Sequence, residues 1–212
     1  MTEIYLVRHV QAMGNVKRVF QGHTDEPPSP LGEKQLEALG EYFKDKHIDA
    51  AYHSPLIRTT RTCLACVGDK DIPVTAEPGL IEIFAGEFEN RLWTELFAQY
   101  PEEMSHWGPD YQNFKAPGGE SFRQVYDRAI KTVNGIVSRH QGETVLLATH
   151  GGFSRAFLTY VMYGDIERMS EHDWVGNASV TRIVYEDGKY TVTDYDCRDF
   201  MPEELQNRYK TK

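Results

Sequence analysis

Apolar and polar positions change their rhythm along the chain, and each change marks an element. The run "IYLV" at Ile4–Val7 is apolar without interruption, which predicts a strand over residues 3–8 covered on both faces. "SPLGEKQLEALGEYFKDK" opens with a helix-start signal at Ser29-Pro30, and Leu31, Leu36, Leu39 and Phe43 then recur at near-helical spacing. "IDAAYHS" reads as a second short strand. "PLIRTTRTCLACVG" reads as a helix begun by Pro55 and stopped near Gly68. "IPVTAEPGLIEI" suggests one or two short strands around a Pro-Gly turn. Residues 91–107 read as helical, with Leu92, Leu96, Phe97 and Tyr100 on one side, and 108–119 as a loop. A long helix follows from Glu120 to about His140, then a strand over 143–149, a helix over 152–163, and a hairpin turning at Asp187-Gly188.

Strands alternate with helices through most of the chain, which predicts an α/β protein, a three-layer α/β/α sandwich on a mainly parallel sheet. The closing hairpin should add at least one antiparallel strand and make the sheet mixed. With 212 residues and no linker, one domain over 1–212 is expected.

Composition narrows the partners. No apolar run approaches the roughly 20 residues that span a bilayer, and "MTEIYLV" carries no export signal, so a cytoplasmic protein off the membrane is expected. The formal net charge of −9 argues against nucleic acid. It still allows a small anion, because arginines gathered in a cleft control the local field. The basic tail "NRYKTK" is expected to fray. Cys63, Cys66 and Cys197 are read as reduced thiols, and Cys63-x-x-Cys66 as two small apolar residues on one helix face.

In open parallel sheets, ligands sit beyond the carboxyl ends of the strands. Arg8-His9 ends the first strand, His53-Ser54 the second, and His150-Gly151-Gly152 follows the 143–149 strand; Arg58 lies one turn into a helix, and Glu82 closes a fourth apolar stretch. Each of these residues alone has a plain structural reading. Together at corresponding strand ends, Arg8, His9, Arg58, Glu82 and His150 describe a phosphate site. Arginine forks match phosphate oxygens, and Gly151-Gly152 lets a helix N-terminus approach an anion. A neutral, oriented imidazole is a competent nucleophile toward phosphorus, and Glu82 is the best-placed acid to protonate a leaving alkoxide. H-x-x-x-H, H-E-x-x-H and G-x-S-x-G are all absent, so neither a metal site nor a serine triad is expected, and no cofactor.

These residues also carry a resemblance. "LVRHVQAMGN…FQGHTDEPPSPLGEKQ" resembles the opening of the histidine phosphatase superfamily, the phosphoglycerate mutase-like family, with Arg8, His9, Asn15, Gln21, Gly22, Asp25 and Gly32 at matching places. "SPLIRTTRT", "GLIEIFAGEFEN", "PGGES" and "VLLATHGG" resemble its later segments, so that the likeness runs from residue 4 to about 185. It implies a phosphoglycerate mutase-like fold, His9 as nucleophile, Arg8 and Arg58 as phosphate arginines, Glu82 as proton donor and His150 as second histidine. Asn15, Gln21, Gly22 and Gly151 are then expected to bind substrate.

The departures are specific. Val10 stands where the family has glycine, Gln11 and Ala12 where it has glutamate and threonine, and Asn90 where a glycine follows Glu89. A positive φ at position 10 would resist valine, so a slightly different phosphate loop is expected. The basic, tyrosine-bearing stretch of the family's mutases is here "EIFAGEFENRLWTELF", in which only Arg91 is basic. That favours hydrolysis. The leading reading is a metal-independent phosphomonoesterase working through phospho-His9 on a small phosphorylated substrate. A phosphoglycerate mutase and a non-catalytic phospho-ligand binding module are the alternatives, and a homodimer is left open. Phe20, Phe84, Phe88, Trp107, Tyr111 and Phe114 read either as an apolar substrate mouth or as packing.

Overall fold

β1 (Thr2–Arg8) shows how the pattern becomes layers. Side chains alternate across a strand, so Ile4 and Leu6 enter one core, and Tyr5 and Val7 the other. The computed structural model describes residues 1–206, and the basic tail lies outside them. A short helix α1 (Met13–Lys17) follows, then α2 (Pro30–Phe43), whose first turn is capped by Ser29 Oγ accepting from the Gly32 N–H at 3.0 Å. Next come β2 (Ala50–His53), α3 (Ile57–Val67) and β3 (Val74–Ala76). α4 (Trp93–Gln99), α5 (Pro101–Ser105) and α6 (Phe122–Arg139) precede β4 (Thr144–Thr149), α7 (Gly151–Tyr163), β5 (Val180–Glu186) and β6 (Lys189–Cys197).

The sheet order is β3-β2-β4-β1-β5-β6. β3, β2, β4 and β1 run parallel, and β5 and β6 close the sheet antiparallel. α2 and α3 cover one face through Leu39, Phe43, Cys63 and Cys66, while α6 and α7 cover the other through Val133, Ile136, Phe153 and Phe157. This is the expected α/β/α sandwich on a mixed sheet. A third cluster, rich in aromatic residues, joins Phe20 and the connections after β3 to the N-terminal part of α6. Among the described residues no helix is long and apolar enough to cross a membrane.

The stretch 72–83 forms one strand, β3, followed by a single 3₁₀ turn at Pro78–Leu80, as expected of a short strand beside a Pro-Gly turn. Two local expectations need correction. Residues 91–107 form two short helices, because Pro101 lacks an N–H and starts a new one. On that stretch Leu96 is buried, but Leu92 and Phe97 are 40% and 50% exposed, so the apolar side read from the sequence is not the packed one. α3 begins at Ile57, with Pro55 outside it. Cys63 and Cys66 are free thiols buried against α2, and burial pushes the Cys63 thiol up to about 12, which keeps it protonated.

Candidate active site

Parallel strands β1 and β4 are in register from Glu3↔Thr144 to Arg8↔Thr149, so both end at one level. That level puts His9 beside His150, with ring centres 5.2 Å apart and planes at 60°. A pocket of about 220 Å³ opens there. Arg8, His9, Asn15, Gln21, Glu82 and Gly151 line its polar end.

His9 is 4% exposed and tightly held. Its Nδ1 lies 2.7 Å from the Val10 carbonyl, a contact that requires the proton on Nδ1 and leaves the lone pair on Nε2. Its own carbonyl accepts from Asn177 Nδ2 at 2.9 Å and from the Ala178 N–H at 3.2 Å. Burial, then the charges of Arg58 and Arg8, hold the imidazole well below its ordinary pKa, so it is neutral near pH 7. His150 pairs through Nε2 with Ser54 Oγ at 2.7 Å. Burial and Arg58, followed by His9 and Arg8, keep it neutral as well. Its Nδ1 is buried with no partner among the described residues.

Arg58 is completely buried. Its guanidinium donates to the Thr24 carbonyl at 2.8 Å and the Gly22 carbonyl at 2.7 Å. Burial lowers its pKa to about 10, against the pull of Glu82, Asp25 and Glu89, so it remains a cation at neutral pH. The 22–24 loop is gripped from its other side by Glu89. That carboxylate accepts from the N–H groups of His23 at 2.7 Å, Thr24 at 3.1 Å and Gly22 at 3.3 Å, and from Thr24 Oγ1 at 2.6 Å. Burial alone would raise the Glu89 pKa, but the bonds from Thr24, His23 and Ala85 outweigh it and keep the group ionised.

Glu82 stands at the N-terminus of α7. Its carboxyl oxygens accept from the N–H groups of Ile83 at 2.9 Å, Gly152 at 3.0 Å and Phe153 at 3.1 Å. The paired glycines follow from this crowding. A Cβ on Gly152 would lie 2.5 Å from Glu82 Oε1, and one on Gly151 would lie 3.1 Å from Arg8 Cζ. Arg8 itself donates to the Val175 carbonyl.

Asn15 caps α1 through Oδ1, which accepts from the Ala12 N–H at 2.9 Å, and it also lines the pocket. Gln21 lines the pocket with both its amide atoms buried and unpartnered, ready to bond a ligand. Gly22 contributes its carbonyl to Arg58 rather than a surface to the pocket. His53, at the end of β2, turns to Ser54 and Thr60 and stays out of the pocket lining.

The chain matches the histidine phosphatase superfamily (branch 1) over residues 4–198. A metal-independent phosphoserine phosphatase of Arabidopsis thaliana is 32% identical over 92% of this chain and 81% of that protein. Phosphoserine phosphatase 1 of Hydrogenobacter thermophilus is 31% identical over 79% of this chain and 80% of its own length. Bacillus stearothermophilus YhfR, a solved structure, superposes with a TM-score of 0.90 at 28% identity, over 94% of this chain and 99% of that one. This chain belongs to the histidine phosphatase superfamily. It is a phosphatase, and its mixed six-stranded sheet is the phosphoglycerate mutase-like one.

Within that family the structure accounts for Val10, Asn90 and Arg91. Val10 does not have a positive φ; its side chain is fully buried in the α2–α3 core, and its N–H donates to Thr62 Oγ1 at 3.1 Å. The loop therefore accepts valine without strain. Asn90 does have a positive φ, 59°, a conformation asparagine tolerates far better than most residues. Arg91 turns from the pocket to Tyr100, which accepts from it at 2.8 Å, and to Gln99.

The aromatic residues divide between the two readings. Phe20 and Trp107 line the pocket, whereas Phe88, Tyr111 and Phe114 pack beneath it, and Phe84 lies 39% exposed beside the His23 ring. Sequence reasoning missed Val19, Ile83, Trp93 and Trp174 as pocket-lining residues. No periodicity marks them, since they come from separate parts of the chain. It offered Glu89 only as a substitute acid, with Glu87, should Glu82 fail, and gave no role to Asn177.

Proposed function

We propose that this phosphatase hydrolyses small phosphate monoesters through a phosphohistidine at His9. The observation that carries the reading is the state of His9: neutral, with its Nδ1 proton committed to a carbonyl, beside two buried or half-buried arginines. Nε2 attacks phosphorus as the bond to the alcohol oxygen breaks. Arg8 in the pocket lining and the Arg58 cation buried behind it offset the charge on the equatorial oxygens, with the neutral His150, Gly151 at the positive end of α7 and the amide of Gln21 adding dipoles. Glu82 gives a proton to the departing alkoxide. It then takes one from water, which attacks phosphorus, breaks the N–P bond and releases inorganic phosphate.

The turned-away Arg91 and the missing lysine and tyrosine supply no second anchor for a returning phosphoglycerate, which favours hydrolysis over the mutase reaction. The free thiols of Cys63, Cys66 and Cys197 fit work in a reducing cytoplasm. The relatives' names make phosphoserine one ester to try first.

The test is rapid-quench labelling in excess chelator. A phosphoenzyme that is acid-labile, alkali-stable and mapped to His9 by mass spectrometry is expected within the first turnover. Turnover that proceeds with no phosphate on His9, or that the chelator abolishes, would overturn the reading.

A further inference from the structure

Beyond the polar end, the pocket has a different character. Its outer wall is formed by Val19, Phe20, Ile83, Trp93, Trp107 and Trp174. Among the described residues, Arg8 and Glu82 are the only charged side chains that line the pocket, and both stand at the phosphate end. The aromatic rings brace one another: Phe20 lies 4.6 Å from Trp93 and 5.3 Å from Trp107, and Trp107 stacks on Trp174 at 5.6 Å and 24°. Trp174 is fixed further by its Nε1, which donates to the Tyr111 hydroxyl at 3.0 Å.

A third cation stands close by, but behind this wall. Arg155 is 3% exposed and does not line the pocket. It donates to the Met169 carbonyl at 2.6 Å and lies over the rings of Tyr111 at 4.2 Å and Trp174 at 4.9 Å. Its Nε and Nη1 are buried without a hydrogen-bond partner among the described residues, and no nitrogen of Arg155 lines the pocket.

From this lining we infer that the alcohol half of the preferred substrate is flat and uncharged, an arylalkyl or aryl phosphate carrying one ring, rather than phosphoserine. The inference rests on the phosphatase reading above and concerns the specificity of the same pocket.

Three physical arguments lead there. First, a ring entering this wall removes apolar surface from water on both sides and gains offset or edge contacts with the tryptophans. Second, phosphoserine would press a carboxylate against the negative faces of those rings with no cation lining the outer wall, and an uncompensated buried charge is costly. Third, an ammonium-bearing alcohol has an aromatic enclosure to attract it, but Arg155 already engages Trp174, and a second cation would meet its repulsion. Size fits as well. A cavity of about 150 Å³ is enough for benzene, so about 220 Å³ accommodates a single ring and its phosphate with little to spare.

The experiment compares primary alkyl esters, whose leaving alkoxides are similar, so that specificity is separated from leaving-group chemistry. kcat/KM is measured for 2-phenylethyl phosphate, ethyl phosphate, O-phospho-L-serine and phosphocholine. We expect 2-phenylethyl phosphate to exceed phosphoserine and phosphocholine by at least ~10-fold, the scale of one well-buried apolar group. The ratio of 2-phenylethyl to ethyl phosphate should fall at least ~5-fold in Trp174→Ala, and in Trp93→Ala should Trp174→Ala not fold. If phosphoserine or phosphocholine equals or exceeds 2-phenylethyl phosphate while phospho-His9 still forms, the inference fails and the phosphatase reading stands. If none of the four esters labels His9 or releases phosphate, both fail together.

Discussion

The two ends of the pocket are built by different means. At the phosphate end, three of the polar side chains are tied to the backbone: His9 to Val10, Arg58 to Gly22 and Thr24, Glu82 to Ile83, Gly152 and Phe153. Such contacts fix position to within a fraction of an ångström, which in-line phosphoryl transfer needs. At the outer end, Phe20, Trp93, Trp107 and Trp174 are held mainly by one another. Packing of that kind selects shape and polarity but directs no proton. The difference teaches that chemistry and selection are separable here. Changes at the hydrogen-bonded end should alter the rate on every ester, whereas changes at the packed end should alter which ester is preferred.

The largest break in that comparison is His9→Ala. It should cost at least ~10³-fold in kcat on all esters, since it removes a covalent catalyst rather than a contact. Steady-state assays on several esters check it, and a variant that kept a tenth of wild-type activity would remove His9 from the mechanism.

Glu82→Gln should come next and sharpen the distinction. The loss should be about 10²-fold or more on alkyl phosphates, the scale of a lost general acid, and much smaller for phosphoenzyme formation from nitrophenyl phosphate, whose leaving group departs unprotonated. Equal losses in that first step on both esters would mean that Glu82 only braces α7. The structure leaves few substitutes. Glu89 is committed to the 22–24 loop, and Glu87 is exposed and outside the pocket lining.

How much of this was legible beforehand follows the same division. The strands and main helices were readable because apolar period and start signals act locally: Ser29-Pro30 opens α2, and Asp187-Gly188 turns the β5–β6 hairpin. Arg8, His9, Glu82 and His150 were readable because strand ends converge in parallel sheets and because the family resemblance named them. Trp93 and Trp174 were not, since their meeting at one wall depends on tertiary packing across about eighty residues of chain. Leu92 and Phe97 misled because Leu92 is the extended N-cap before α4 and the helix packs Leu96 inward while Phe97 faces solvent. Glu89 was visible as part of a segment, but its partners, the N–H groups of Gly22, His23 and Thr24, leave no side-chain signature.

Glu89→Gln therefore tests a support behind the hydrogen-bonded end. An amide keeps one acceptor oxygen but places an NH₂ against backbone donors, so the 22–24 loop should loosen its hold on Arg58. We expect a fall of about 10-fold in kcat/KM, similar on 2-phenylethyl and ethyl phosphate, with the fold retained. A change that differed strongly between the two esters would move Glu89 into the selecting half of the pocket.

The smallest effect concerns pH and the support behind the aromatic wall. His172 lies against Arg155, whose guanidinium contacts Trp174, and Asp173, Tyr195 and Tyr163 surround it. Its Nε2 meets Thr159 Oγ1 at 2.9 Å. Burial, then the Arg155 charge, lowers its pKa to about 4. In the unfolded chain it would titrate near 6.5. Above that value neither state is protonated and His172 adds no slope. Between about 6.5 and 4 the unfolded chain takes up a proton that the folded protein refuses, so stability falls as pH falls. His9 and His150, also depressed by burial, act in the same direction. Thermal unfolding should therefore shift down by several degrees from about pH 7 to about pH 5. His172→Gln removes one of the three contributions and should flatten that slope, while leaving the pH profile of phospho-His9 formation in place. If His172→Gln left the slope of Tm against pH unaltered, the histidine would be protonated in the fold, and the cation beside Trp174 would be shared rather than Arg155 alone.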